Sequence, residues 1–291
     1  MILFFVAFTA SVASAADIYV GPGETYTSIQ GAVNNASAGD IIIVRDGTYN
    51  ENVLVNKSLT VQSENGTANC IVTASSSSDH VFNVTADYVN ISGFTATGAT
   101  GFPKAGIYLN SADHCNISGN NASNNYFGIY LSSSNNNNLT GNNASYNDDF
   151  GIYLSSSNNN NLTGNIASYN DDNGIYLHSS NNNNLTGNNA SYNDECGIYL
   201  YSSSNNTLSN NTCKYNQNSG IYLYYSDFTT IGCDVTNNGD PDYEGYNIRI
   251  MYSDNVIIDD VIVDEPIQGE ASSCPFLYTW NGEGFEFVNE I

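Results

Sequence analysis

Four residues recur six times along the chain. Gly106-Ile107-Tyr108-Leu109 comes first, and Gly-Ile-Tyr-Leu returns at Gly128, Gly151, Gly174, Gly197 and Gly220. After a first step of 22 residues, every interval is 23. A fixed period of this size marks a solenoid, because a unit this short cannot bury a hydrophobic face alone and must stack on its copies. Chain length therefore says little about domain number, since such a stack grows by adding coils.

Residues 151–173 serve as one unit. Ile152 and Leu154 are two apart, so in a strand they point the same way, into the dry interior that a stack requires, and Tyr153 points out. Leu162 heads a second short strand, and Ile166 with inward Ala167 marks a third. Ser- and Asn-rich segments lie between them. Asn tolerates left-handed backbone and bonds nearby backbone groups, which suits tight corners. Three short strands per 23-residue turn predict an all-β fold, a parallel β-helix. A leucine-rich repeat has a similar period but needs more leucines and usually a helix, and this unit has no helical periodicity.

Stacking turns each repeated letter into a column with a step of about 4.8 Å. Ile107, Ile129, Ile152, Ile175, Ile198 and Ile221 form an internal ladder. Asn137, Asn160 and Asn183 form a corner ladder in which amides bond from coil to coil. Looser rungs are expected at residues 41–44, 52–55, 80–84, 247–250 and 256–258. Residues 26–35 form the one amphipathic helix, with Ile29 and Val33 inward, placed to cap the N-terminal end of the stack.

The net charge of −24, with only Arg45, Lys57, Lys104, Lys214 and Arg249 basic, excludes nucleic-acid binding and disfavours anionic lipid surfaces. Residues 2–12 form an apolar run and Ala13-Ser14-Ala15 a small-x-small cleavage pattern. Residues 1–15 therefore read as a signal peptide, although no basic residue precedes the run. No later segment is long and apolar enough to span a bilayer. Fourteen Asn-x-Ser/Thr sequons, among them Asn138, Asn161 and Asn184, agree with export to the surface or the medium. In that setting the six cysteines can pair, with fifteen connectivities open. Cys213 takes the place of Ala190 in the repeat and also fits as a small core residue. The β-helix is expected over residues 16–268. Residues 269–291, with Asn281-Gly282 between alternating segments, read as the hairpin start of a further β module that stops early, as in a fragment.

The Gly-Ile-Tyr-Leu and Asn-Asn-Asn-Asn-Leu-Thr-Gly-Asn repeats resemble those of NosD-like proteins in the pectin-lyase-like superfamily. The segments around Ile18-Tyr19-Val20, Tyr26-Thr27-Ser28-Ile29-Gln30 and Gly39-Asp40-Ile41-Ile42-Ile43-Val44 are similar to that superfamily's N-terminal cap and first coil. Surface proteins of methanogenic archaea are similar too, including the tail at residues 275–287. The resemblance covers roughly residues 17–265 and implies a right-handed coil. It is weak for activity, because this fold carries lyases, hydrolases, epimerases and non-catalytic surface proteins. The copper-site assembly associated with NosD is poorly supported, since Met1, Met251 and the scattered His80, His114 and His178 form no soft-ligand cluster.

Three candidate sites stand out. Tyr108, Tyr130, Tyr153, Tyr176, Tyr199 and Tyr222 make an outward aromatic stripe that can stack on sugar rings or, alternatively, on itself to stiffen the sheet. Asp148 with Asp149, Asp171 with Asp172, and Asp194 with Glu195 stack like charges. Ca²⁺ is the cation such oxygens would take, against a plain solvated surface. His178 with Asp172 and Glu195 is the acid–base set that an enzyme of this superfamily would use here, although no Arg or Lys lies between Lys104 and Lys214. The expectation is an exported structural or adhesive surface protein that binds a polysaccharide or surface glycan along the tyrosines, or contacts surface-layer proteins, with no cofactor beyond Ca²⁺. The alternative is a carbohydrate-active enzyme.

Overall fold

The structure, a computed structural model, describes residues 15–239, 245–259, 261–264, 268–270 and 277–279. It is a parallel β-solenoid of about ten turns. The signal-like segment and the Asn281-Gly282 turn lie outside the described residues.

Three faces run the length of the stack. One is a ten-stranded parallel sheet that holds the Gly-Ile-Tyr-Leu segments, and another is a twelve-stranded parallel sheet that holds the Asn-Leu-Thr segments. The third is a three-stranded sheet in the first coils, Gly47–Asn50, Cys70–Thr73 and Thr95–Thr97. Beyond it, the third face continues as single bridges at Asn121, Asn143, Ile166, Asn189 and Thr212. The expected third strand is thus shortened in the central coils. The left-handed residues Gly164 (φ 63°) and Tyr169 (φ 58°) bracket it and leave no room for more. Ala167 points inward as expected, while Ile166 is exposed.

Pairing is in register from coil to coil. Ile129, Tyr130 and Leu131 face Ile152, Tyr153 and Leu154, which face Ile175, Tyr176 and Leu177. The Ile and Leu columns are completely buried, and Cys213 continues the buried Ala144–Ala167–Ala190 column. The five described cysteines, Cys70, Cys115, Cys196, Cys213 and Cys233, are all free and buried, so none is held in the pairings that export would permit. Burial pushes the Cys70 and Cys196 thiols up to about 12, which makes them inert apolar filling.

The helix spans Ile29–Asn35 and buries Ile29, Ala32 and Val33. It starts three residues later than expected because Ser28 is its N-cap. The Ser28 hydroxyl accepts from the Gly31 N–H at 3.2 Å, and the Glu51 carboxylate accepts from the N–H groups of Ile29 and Gln30 at 2.8 and 2.9 Å. At the other end, Gln268–Glu270 and Leu277–Thr279 pair in parallel with Arg249–Met251 and Ile257–Asp259. The stack therefore continues past residue 268, where a new module was expected. No helix among the described residues is long and apolar enough to cross a membrane.

Each central coil turns at four left-handed residues, for example Ser156, Asn159, Gly164 and Tyr169. Such turns leave backbone groups pointing inward, and buried asparagines satisfy them. The expected Asn137–Asn160–Asn183 ladder is present as backbone N–H groups donating to the next coil's amide oxygen, with the Nδ2 groups of Asn137 and Asn183 unpartnered, and two more run beside it, through Asn142–Asn165–Asn188 and Asn147–Asn170–Asn193. Asn165 shows how completely an amide is used. Its Oδ1 accepts from the backbone N–H and the Nδ2 of Asn142, both at 3.0 Å. Its Nδ2 donates to the Leu139 carbonyl at 2.9 Å and to Asn188 Oδ1 at 3.0 Å. A buried group left without a partner costs about 1–3 kcal/mol, so Asn165→Ala, which strands several, should cost about 3 kcal/mol or more. Asn161→Ala, on an exposed position four residues away, should change stability by less than about 0.5 kcal/mol. Urea titrations followed by circular dichroism compare the two, and equal midpoints would show that the ladder does not carry the fold.

Candidate functional site

The six tyrosines of the repeat stand side by side on the ten-stranded sheet, half-buried. Their rings lie nearly parallel, with centroids 4.8 Å apart at Tyr130–Tyr153, 5.2 Å at Tyr153–Tyr176 and 5.0 Å at Tyr176–Tyr199. The column has a cap at each end. The His80 ring stacks on Tyr108 at 4.2 Å, and the Arg249 guanidinium sits 5.2 Å over the Tyr222 ring. His80 is neutral, because burial first and the Lys104 charge second bring it down to about 4, and its Nδ1 accepts from the Ala105 N–H. The ring faces are thus occupied by one another, and what the column turns outward is a row of edges and hydroxyls. Burial raises the hydroxyls of Tyr153, Tyr176 and Tyr199, with Tyr176 at about 12, so they stay protonated hydrogen-bond donors at any ordinary pH.

Beside the column lies an open cleft of about 330 Å³, lined by Phe150, Asp172, Asn173, Tyr176, Glu195, Cys196, Tyr199, Asn218 and Tyr222. The structure therefore brings Asp172 and Glu195 together with three of the tyrosines. His178 does not line this cleft, although its ring lies 6.2 Å from that of Tyr176 and nearly parallel to it. The histidine is two residues further along its strand, in a column of its own between Ser155 and Tyr201. Its ring is tilted 54° against Tyr201 at 5.3 Å.

The acidic residues form two parallel columns. Asp148, Asp171 and Asp194 are exposed, while Asp149 and Asp172 are half-buried beside the tyrosine sheet. Both columns end in amides: Gln217 Nε2 donates to Asp194 at 2.7 Å and Asn218 Nδ2 to Glu195 at 3.0 Å. Among the described residues no three His, Cys, Asp or Glu side chains converge as a metal-holding group, so the expected Ca²⁺ ladder has no cage here. Two carboxyls of the inner column are shifted toward the protonated form instead. Burial, then the Asp149 charge, raises Asp172 from 3.8 to about 6, and Asp149 is raised by burial although the Tyr126 hydroxyl bonds it. Asp149 Oδ1 is buried without a hydrogen-bond partner.

A second tyrosine column escaped the sequence reading. Tyr146, Tyr169, Tyr192 and Tyr215 sit at left-handed corners, 44–58% exposed, with rings 4.9–5.1 Å apart. The repeated Ser-Tyr-Asn carried the signal, but a bulky residue at positive φ costs about 1 kcal/mol or more and is not foreseen from propensity. Stacking, worth about 0.5–1.5 kcal/mol per pair, offsets that strain.

The sequence profile of the right-handed β-helix region matches residues 105–265, more than half of the chain. The chain belongs to that family. A cell surface glycoprotein of Methanothermus fervidus is 39% identical over 127 residues, which are 43% of this chain and 20% of the relative. The chain thus spans about a fifth of that relative's length. Solved β-helices share the fold at low identity. The A-module of a mannuronan C-5 epimerase from Azotobacter vinelandii superposes with a TM-score of 0.68 at 15% identity, over 90% of this chain and 94% of its own. The catalytic domain of a GH87 α-1,3-glucanase gives 0.69 at 17% identity, over 98% of this chain and 59% of its own. A pectate lyase gives 0.60 at 14%, over 91% and 80%. Within this right-handed β-helix the Asp172 cleft has a direct thermodynamic signature. A carboxyl raised on folding makes the native state bind more protons than the unfolded state between its two pKa values. Its contribution to stability is therefore gained as pH falls through about 6 and lost as pH rises. Asp172→Asn, which mimics the protonated form, should raise the melting temperature relative to the parent at pH 8. The difference should shrink toward pH 4. A difference that does not vary with pH would show that Asp172 ionises freely.

Proposed function

We propose that the chain is part of an exported cell-surface scaffold that holds neutral glycans against its tyrosine sheet. The observation that carries this reading is the cleft at Tyr176, Tyr199 and Tyr222, where the protonated hydroxyls of Tyr176 and Tyr199 and the ring edges of all three meet Asp172, Glu195, Asn173 and Asn218. Sugars present hydroxyls that pair with such donors and acceptors, and apolar C–H faces that pack on Phe150 and the ring edges. The sign of the charge supports a neutral ligand. The mannuronan epimerase and pectate lyase of this fold are named for anionic polymers, whereas the charged residues that line this cleft are the carboxylates Asp172 and Glu195, with Arg249 placed only at its far end over Tyr222. Location at the cell surface is supported by the relative named as a cell surface glycoprotein. Contact with surface-layer proteins is the other outward role for such a scaffold.

The enzymatic reading has one specific observation in its favour. Asp172, at about 6, is raised into the range where a carboxyl is still partly protonated in weak acid, beside Glu195, and a protonated and an ionised carboxyl are the pairing that glycoside hydrolysis uses as acid and base. His178 has no part in it, since it lies outside the cleft. The near-identity of the repeats that begin at Gly128, Gly151 and Gly174 supports the scaffold.

The test is a glycan array probed with the folded chain, with and without Ca²⁺. The double variant Tyr176→Phe with Tyr199→Phe keeps the stack and removes two hydroxyls. At about 0.5–1.5 kcal/mol per hydrogen bond it should weaken retention roughly tenfold, with unchanged circular dichroism. Undiminished retention rejects the tyrosine sheet as the site. Release of shorter products from a retained glycan, abolished by Asp172→Asn, would establish the enzyme in place of the scaffold.

A further inference from the structure

The asparagines of the sequons and the tyrosines of the repeat occupy different faces. Nine Asn-x-Ser/Thr sites fall between residues 105 and 239, and none lies on the ten-stranded sheet. Asn116, Asn138, Asn161 and Asn184 open successive in-register strands of the twelve-stranded sheet, the last three fully at the surface. Asn143 and Asn189 sit on the third face two coils apart, with Ile166 in the coil between them. The local geometry is that of a sequon with its hydroxyl engaged. Thr163 and Thr186 donate to Oδ1 of Asn161 and Asn184 at 3.2 and 3.1 Å, and Ser145 and Ser191 donate to Oδ1 of Asn143 and Asn189, both at 2.7 Å.

We propose that the chain carries N-linked glycans on these two faces and none on the tyrosine sheet, and that the Asn116–Asn184 column is filled only in alternate coils. Attachment would come from a lipid-phosphate-linked oligosaccharide. The bond from its anomeric carbon to the phosphate oxygen breaks, a bond to Asn Nδ2 forms, the amide gives up one of its two protons, and the lipid phosphate leaves. Neighbouring acceptors in the column are one strand spacing apart, about 4.8 Å, closer than the width of a branching sugar chain. The amides are already in mutual contact, since Asn161 Nδ2 donates to Asn138 Oδ1 and Asn184 Nδ2 to Asn161 Oδ1, both at 3.1 Å. Whether transfer precedes or follows coiling, only alternate occupancy fits the folded stack. Asn189 has no acceptor in the adjoining coil at its own position, because Ile166 stands there, and is free of this exclusion. The inference rests on the export part of the functional reading and is independent of what the tyrosines bind.

The experiment expresses the chain with its leader in a host that exports and N-glycosylates, and purifies it from the medium. An endoprotease that cleaves before aspartate separates the coils at Asp148, Asp171 and Asp194, and mass spectrometry then measures occupancy at each sequon. Occupancies at Asn138 and Asn161, and at Asn161 and Asn184, should each sum to no more than one. Thr163→Ala removes the middle sequon while keeping the Asn161 amide. It should raise occupancy at Asn138 and Asn184 by up to about twofold and leave Asn189 unchanged, given a spacing that excludes only next neighbours. Asn83, the sequon asparagine that pairs with Tyr108, should stay bare. Near-full occupancy at all three column sites, a glycan on Asn83, or an exported chain without sugar would each overturn the proposal. Retention on the glycan array, measured on the same preparation, reports separately on the tyrosine sheet. A chain kept inside the cell defeats the export reading and this inference together.

Discussion

A buried amide needs another amide at the same height in the next coil. That requirement underlies the molecule. The solenoid turns so tightly that several backbone N–H groups per coil point into the dry interior, where an unmatched donor is costly. Asn142, Asn165 and Asn188 answer this by handing one amide's oxygen to the backbone and side chain of the coil before it. The bond forms only if successive coils have the same corner at the same place, so strict sequence periodicity is a condition of satisfying the interior. The Ile and Leu columns supply the hydrophobic burial, and the amide ladders fix the register in which it happens.

The same repetition shapes the outer surface. Tyrosines that recur at coil spacing meet face to face, so an aromatic stripe on a solenoid is a stack whose flat surfaces are already used. What such a stack offers outward is ring edges and hydroxyls, which are polar, and not flat apolar faces. Acidic residues that recur at coil spacing crowd one another too, and the inner pair is the more affected: Asp149 and Asp172 are both raised, with burial the first cause. The amides of Gln217 and Asn218 end the two acidic columns by donating to the last carboxylates.

Much of this was legible in the sequence because a repeated letter can only become a column. The inward Ile152 and Leu154, the outward Tyr153, the Asn137–Asn160–Asn183 ladder and the Cys213 substitution in the alanine column all follow from period and alternation. Other features depended on three-dimensional detail that period does not encode. The third strand shrank to a single bridge because left-handed Gly164 and Tyr169 crowd it. The Tyr146–Tyr215 stack was hidden because tyrosine is unexpected at positive φ. The end caps, His80 and Arg249, come from coils outside the perfect repeat, where letters no longer mark columns. At the candidate cleft, period and alternation placed the tyrosines beside Asp172 and Glu195, but the reading also grouped His178 with the two carboxylates. Strand alternation puts it on the same side without bringing it to the same cleft.

Because each ladder bond joins one coil to the next and to nothing farther, no contact in the central stack records how many coils there are. An in-frame gain or loss of 23 residues would hand every ladder asparagine and every tyrosine and leucine of the Gly-Ile-Tyr-Leu columns a partner identical to the one it had, while a shift of one residue would break all columns together. Lineages carrying such a gene can therefore lengthen or shorten the protein in whole-coil steps without inventing new packing. The length of the stack is a heritable quantity that can be tuned almost independently of its stability.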